Sequence, residues 1–243
     1  MKCILLCAGF ATRMLPLTED FPKPLLPVCG KPIINYLIDD VYENNLADEI
    51  IVVSNDKFLN AFQNWKKESG YQKISIISNG INSAKEGSGM VETIDALEKL
   101  KINDTVLALA GDNLLDFSLK NFVKFAEKKK SSCVMYHEEN DITKLKRTGV
   151  AVIKDSKILE MEEKPQNPKS NFAIPPFYIY TKNTFKDIKS IVFENKVSSL
   201  GQIVIGLCKK HDVYAYKMPG KRLDIGVIET YLKVKDNPDF IKK

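Results

Sequence analysis

Short, unbroken apolar runs punctuate the first half of the chain, and helical spacing of apolar residues fills the gaps between them. The runs are Cys3-Ile4-Leu5-Leu6-Cys7, EIIVVS from Glu49 to Ser54, Ile74 to Ile77, and TVLALA from Thr105 to Ala110. Continuous runs of this length predict strands buried on both faces, as parallel strands are. Ile33, Tyr36, Leu37, Val41 and Tyr42 recur at helical spacing, Phe58, Phe62 and Trp65 mark a second helix, and another is expected from about Val91 to Lys101. Pro32 suits a first helical position, where its missing N–H is harmless. Strands alternating with helices predict an α/β domain with a doubly wound, mostly parallel sheet.

The pattern changes in the second half. Leu119 to Lys130 reads as an amphipathic helix, Ser132 to Tyr136 as a strand, and Asp141 to Lys146 as a charged loop. Thr148 to Ile153 and Lys157 to Glu162 alternate about Asp155-Ser156, which predicts a β-hairpin. A hairpin departs from the strand-helix-strand plan, so it is expected to form a small subregion on top of the main sheet. Thr184 to Ile191 and Leu200 to Lys210 read as helices, Val213 to Lys217 as a strand, and Glu229 to Lys235 as a last helix.

Composition narrows the class. The 243 residues are 44% hydrophobic and 28% charged, as in a soluble globular protein, with a net charge of +5. Much of the excess lies in Lys-rich stretches such as Lys128-Lys129-Lys130. A mild positive balance agrees with polyanionic small substrates. No Arg-rich arm and no aromatic-basic interleaving point to nucleic acid. No apolar stretch is long enough to span a bilayer. The N-terminus goes straight into a strand, so no signal peptide is expected. The five cysteines, Cys3, Cys7, Cys29, Cys133 and Cys208, form no C-x-x-C pair and no metal-finger spacing. An odd count without a framework points to a reducing compartment, and a cytoplasmic protein is expected. His137 and His211 have no partner pattern and read as surface or packing residues.

The candidate chemistry starts where the first strand ends. LLCAGFATRMLPLTEDFPKPLL, Leu5 to Leu26, falls from an apolar run into a long loop with Gly9, Thr12, Arg13 and a proline-bracketed Lys23. Ligands of open α/β sheets bind outside the carboxyl ends of strands. Free N–H groups, an Arg and a Lys at that place suit phosphate oxygens. A solvated irregular loop is the alternative. The stretches AGFATRMLPLT and PKPLLPVCGKP resemble the signature loop of the sugar-1-phosphate nucleotidyltransferases, A-G-x-x-T-R-[LM]-x-P-L-T followed by P-K-P-L-x-P-V-x-G-K-P. Ala11 departs from it, standing where many members have Gly.

The resemblance extends along nearly the whole chain. Gly111-Asp112-Asn113 after a buried strand resembles the family's first metal-binding position, although Asp112 alone could cap a helix. Glu162-Glu163-Lys164-Pro165 resembles its E-K-P, and PQNPKSNFAIPPFYIY is most similar to the thymidylyltransferases. GKRLDIG, Gly220 to Gly226, resembles G-x-W-x-D-[IT]-G, with Arg222 in place of Trp. Pro175-Pro176 replaces the usual Thr-Gly, and Ser198-Ser199-Leu200-Gly201 replaces Asp-x-x-Pro-Gly.

The resemblance implies a Rossmann-like, three-layer α/β/α fold in one domain, with 1–118 mainly binding nucleotide and 119–243 mainly binding sugar phosphate. It implies a nucleotide-binding loop of Ala8, Gly9, Phe10, Ala11, Thr12 and Arg13, with Ser88, Gly89 and Asn82 or Ser83 near the base. It implies an acceptor pocket of Gly149, Glu163, Lys164, Ile174 and Tyr178, and Mg²⁺ held by Asp112 and Asp224. Arg13 would clamp the triphosphate or brace its loop, Lys23 would bridge the reacting phosphates, and Lys164 would place the nucleophile. The activity implied joins a nucleoside triphosphate to a sugar 1-phosphate and releases pyrophosphate, with dTTP and glucose 1-phosphate foremost. Another triphosphate, another acceptor such as phosphocholine, or a non-catalytic subunit of the same fold are the alternatives. A monomer or homodimer is expected. The missing G-x-G-x-x-G and G-K-[ST] argue against a nicotinamide dehydrogenase and a P-loop NTPase.

Overall fold

The computed structural model describes residues 1–86, 90–195 and 197–237, so Ser88 and Gly89 lie outside the described residues. The first half runs β1 (Lys2–Leu6), β2 (Pro27–Val28), β3 (Lys31–Pro32), α1 (Ile33–Glu43), β4 (Glu49–Ser54), α2 (Leu59–Ser69), β5 (Ile74–Ser78), α3 (Met90–Lys99), β6 (Val106–Ala110) and β7 (Asn113–Leu115). The second half runs α4 (Lys120–Lys129), β8 (Ser132–Glu138), α5 (Ile142–Leu145), β9 (Gly149–Lys154), β10 (Lys157–Glu163), β11 (Phe172–Ile174), β12 (Phe177–Tyr180), α6 (Lys182–Asn195), α7 (Leu200–Cys208), β13 (Val213–Lys217), β14 (Arg222–Asp224) and α8 (Ile228–Val234).

Ten strands form one sheet in the order β11-β9-β10-β13-β8-β12-β6-β1-β4-β5. β12, β10 and β11 run against the other seven. The apolar runs are continuous because both faces are covered. Cys3 and Leu5 of β1 face one core with Leu37 of α1 and Phe62 of α2, while Ile4 faces the other with Ile94 of α3 and Ile188 of α6. The three-layer α/β/α arrangement follows.

The chain leaves β1 for β4 and then β5 on one side, and returns with β6 on the other side of β1. The strand order therefore reverses between β1 and β6, which marks the ligand crevice of an open α/β sheet. The long loop of residues 7–26 and the Gly111-Asp112 turn both leave from that point.

Four features differ from the sequence expectation. The expected hairpin exists, with Asp155 and Ser156 at φ 50° and 65° in a two-residue turn, but β9 and β10 continue the main sheet rather than sitting on top of it. Within 141–146, a charged loop by its pattern, Asp141 accepts the N–H of Thr143 and caps the short α5. β12, FYIY, inserts antiparallel between β6 and β8. β7 and β14 form a separate two-stranded ribbon. Three-residue strands are too short to show a period, so only tertiary pairing reveals that ribbon.

A small third core holds loop and ribbon together. Met14, Val28, Leu114, Ile225 and Tyr231 are all buried in it. The Tyr231 hydroxyl donates to Pro27 O at 2.9 Å, and Cys29 N donates to Lys235 O at 2.6 Å. The last helix thereby braces the first loop. No helix among the described residues is long and apolar enough to cross a membrane.

Candidate active site

The loop after β1 ties two of its carbonyls to the protein. Ala8 O accepts from Asn55 Nδ2 at 3.0 Å; Ala11 O accepts from Met14 N at 2.8 Å and from Thr18 Oγ1 at 2.9 Å. The N–H groups of Gly9, Phe10 and Ala11 have no acceptor among the described residues. An array of backbone donors at a strand tip, left without protein acceptors, is an anion cradle. Gly9 is exposed, and a Cβ there would meet nothing within 4 Å. Phe10 packs its ring near Phe58, at 6.2 Å between centroids, so only its backbone faces the cradle. Ala11 sits at φ 48°, ψ 42°, the left-handed conformation that Gly would take without strain. Thr12 and Arg13 follow in a short 3₁₀ turn, both exposed.

Lys23 lies beneath this loop, 9% exposed, and its ammonium pairs with Asp112 Oδ2. The other carboxylate oxygen of Asp112 accepts from Asn113 Nδ2 at 2.7 Å. Gly111 is required by close approach, because a Cβ there would stand 2.4 Å from Cys7 Sγ. Burial, and then the neighbouring Asp112 charge, push the Cys7 thiol well up, against the opposing pull of Lys23. That thiol is inert.

The β7–β14 ribbon brings the second acidic motif to the first. Asp224 lies opposite Asn113, and Ile225 N donates to Asp112 O at 3.2 Å. Gly226 stands between Arg13 and Asp224: a Cβ on it would lie 3.5 Å from the Arg13 guanidinium and 3.7 Å from Asp224 Oδ2. Residues 13, 23, 112 and 224 thus converge on one crevice. Arg222 Nη2 lies 3.4 Å from Asp224 Oδ2.

Beyond Asp224 opens a cavity of about 860 Å³. Arg13 and Asp224 line it on the side of the β1 loop, and His137, Arg147, Lys221 and Arg222 line the rest. Pro176 also borders it, and its carbonyl accepts from Ala110 N at 3.1 Å. The Pro-Pro pair is therefore built into the tip of β6.

Glu163 ends β10 beside Gly149, whose added Cβ would stand 3.3 Å from its carboxylate, and against Gly201, where the same atom would stand at 1.9 Å. Burial pushes the Glu163 carboxyl up, opposed by a hydrogen bond with Ser199 and by the charge of Lys164. Lys164 itself is exposed in a left-handed conformation, φ 50°, with its N–H on Thr148 O at 3.0 Å. Thr148 lines the cavity, so Lys164 stands at its rim. Ile174 is buried opposite Gly149 in the sheet. Tyr178 is 2% exposed and stacks on Tyr180 at 5.7 Å; burial raises its hydroxyl pKa. It belongs to the wall beneath the site rather than to its surface. Asn82 is exposed just after Ile81, whose carbonyl accepts from Asp56 N at the tip of β4.

Sequence reasoning missed Asn55, Asn113, Arg147, Lys221 and His137. Asn113 sat within a motif already singled out, so its pairing with Asp112 had a visible signal. Lys221 likewise sat within GKRLDIG, whereas Asn55, Arg147 and His137 are brought to the site only by the tertiary structure.

A family described as nucleotidyl transferase matches residues 2–238. The chain is 30% identical over 234 residues to UTP–glucose-1-phosphate uridylyltransferase AglF of Haloferax volcanii, covering 94% of this chain and 93% of that protein. It is also 30% identical over 251 residues to the bifunctional protein GlmU of Methanocaldococcus jannaschii, spanning 99% of this chain but only 56% of that relative. A solved UDP-glucose pyrophosphorylase complexed with UDP-glucose shares the fold, with a TM-score of 0.81 over 100% of this chain and 99% of that one at 24% identity. The chain belongs to the nucleotidyl transferase family, among the sugar-1-phosphate nucleotidyltransferases that its opening loop resembles.

Proposed function

We propose that this chain transfers the nucleotidyl group of a pyrimidine nucleoside triphosphate, UTP or dTTP, to a sugar 1-phosphate and releases pyrophosphate. One observation carries the reading. A cradle of unpartnered N–H groups, two cations and two aspartates from three separate segments meet where the strand order reverses, next to a cavity of acceptor size. The name of the AglF relative adds UTP beside the dTTP suggested by the thymidylyltransferase-like sequence.

In this reading the N–H groups of Gly9 to Ala11 and the forked guanidinium of Arg13 bind triphosphate oxygens. Lys23 offsets charge between the reacting phosphates, and Lys164 orients the acceptor phosphate from the rim. Glu163 accepts hydrogen bonds from sugar hydroxyls. The acceptor phosphate is already anionic, so its oxygen attacks the α-phosphorus without a strong general base. Catalysis then rests on positioning and charge neutralisation. Asp112, just before the ribbon, and Asp224, paired with its neighbour Asn113, are hard oxygen donors, a set that fits Mg²⁺, which takes one or two carboxylates and completes its shell with water and phosphate. Bound there, Mg²⁺ supplies further neutralisation of the triphosphate.

The test is a pyrophosphate-release screen with Mg²⁺ over the common triphosphates against sugar 1-phosphates and phosphocholine. Release with UTP or dTTP and a sugar 1-phosphate is expected. Nucleotide binding with no release from any acceptor would replace this reading with a non-catalytic subunit.

A further inference from the structure

The acceptor side of the cavity has a charge pattern that a neutral sugar does not need. Three carboxylates line it, and each already has a cation: Glu138 with Lys217 at 2.5 Å, Glu139 with Lys144 at 3.4 Å, and Asp224 with Arg222 at 3.4 Å. Arg147 and Lys221 line the same wall and have no carboxylate within ion-pair distance among the described residues. Lys221 is fixed by its backbone, whose N–H donates to Asp116 Oδ1 at 2.6 Å while Gly220 packs against that carboxylate.

Arg222 decides between a solvated basic rim and a built site. Its side chain is only 17% exposed, and its one ion-pair contact is the 3.4 Å approach to Asp224. A guanidinium has five N–H donors and no acceptor, so most of its donors are left for whatever fills the cavity. Next to it, His137 Nδ1 is buried with no hydrogen-bond partner. Sugar hydroxyls both donate and accept. Arginine and lysine side chains only donate; Glu138 and Glu139 are engaged by other lysines, and Asp224 meets Arg222 at a single nitrogen. That chemistry matches a group that only accepts.

We propose that the acceptor bound here carries a second anionic group, a carboxylate or a phosphate beyond the one that attacks, and that Arg147, Lys221 and Arg222 read it. The inference rests on the proposed reaction, and it accounts for cations that the reaction leaves unused. The triphosphate is met by the loop N–H groups, Arg13 and Lys23, and the attacking phosphate by Lys164. An Arg in place of the family's Trp at position 222 exchanges an aromatic face for a fork suited to bidentate anion contact.

The experiment measures pyrophosphate release with Mg²⁺ and UTP or dTTP for three acceptors: glucose 1-phosphate, glucuronic acid 1-phosphate and glucose 1,6-bisphosphate. At least a tenfold higher kcat/KM is expected for one of the two acidic acceptors, and which one identifies the anion. Arg222→Trp should bring the acidic-to-neutral ratio close to one. Arg147→Met, at an exposed position, should lower the same ratio and keeps the test open should Arg222→Trp fail to fold. Release from glucose 1-phosphate with equal or greater kcat/KM would overturn this inference and leave the proposed reaction standing. No release from any acceptor would overturn the reaction, and the inference with it.

Discussion

On the side of the crevice proposed to hold the nucleotide, the chain presents mostly backbone; on the side proposed to hold the acceptor, it presents charged side chains. The first side lies at the tips of parallel strands β4, β1 and β6, where the carbonyls of residues 8 and 11 are tied down and the N–H groups between them are left over. The second lies along the ribbon and neighbouring strands, where His137, Arg147, Lys221 and Arg222 line the space. A backbone surface is insensitive to side chains except where a glycine is forced. A side-chain surface can change its preferred ligand by one substitution. Of the departures from the family pattern, Ala11 lies in the opening loop, while Pro175-Pro176, Ser198 to Gly201 and Arg222 fall in the second half, and Pro176 and Arg222 line the cavity.

The sharpest test of the nucleotide side is Lys23→Ala. Lys23 is the nearly buried cation of the site and holds Asp112. Turnover in the pyrophosphate assay is expected to fall by roughly two to three orders of magnitude, as for other electrostatic groups. Unchanged turnover would remove the role given to it.

The forced glycines separate the two sides more finely. Gly111→Ala drives a Cβ into the buried Cys7 sulfur and should cost about 1–3 kcal/mol of stability by overpacking, read from urea unfolding. Gly201→Ala drives one into the Glu163 carboxylate instead. It should raise the acceptor KM and leave the triphosphate Kd in place. A change in both constants would mean that the two sides are not independent.

A smaller effect follows from Glu163. Burial raises its pKa above the ordinary value of 4.5. The folded protein therefore holds this proton more tightly than the unfolded chain does. The stability contribution is fully present below the unfolded value and is lost as pH rises through the raised folded value. Glu163→Gln should accordingly flatten this part of the stability profile. In activity the sign runs the other way, because hydroxyl groups donate to the ionised form. The acceptor KM should rise on acidification while the pH is still above 4.5, and the Gln variant should lack that rise.

The smallest effect belongs to Ala11. Its left-handed backbone costs about 1 kcal/mol relative to Gly. Ala11→Gly should gain part of that in thermal or urea unfolding, less the extra entropy of the unfolded glycine. A loss would show that the methyl group packs usefully in the loop.

Much of the architecture could be read from the sequence. The apolar runs of β1, β4, β5 and β6 are continuous because helices cover both faces, and continuity survives in sequence as well as in space. The G-D-N and D-I-G motifs and the opening loop could be found because each is contiguous. What sequence could not show is pairing between short segments far apart. Asn113 and Asp224 meet only because two three-residue strands form a ribbon, and three residues carry no period to detect.

The sequence by itself determined the layers, the strand-tip loop and the family, because burial on two faces and a run of glycine, arginine and lysine at fixed spacing are local properties. The tertiary structure alone decided that Lys23 holds Asp112, that β9 and β10 extend the main sheet, that α8 braces the first loop, and that Arg147, Lys221 and Arg222 share one cavity wall. Those outcomes depend on which distant groups exclude water from one another, and chain order does not specify that.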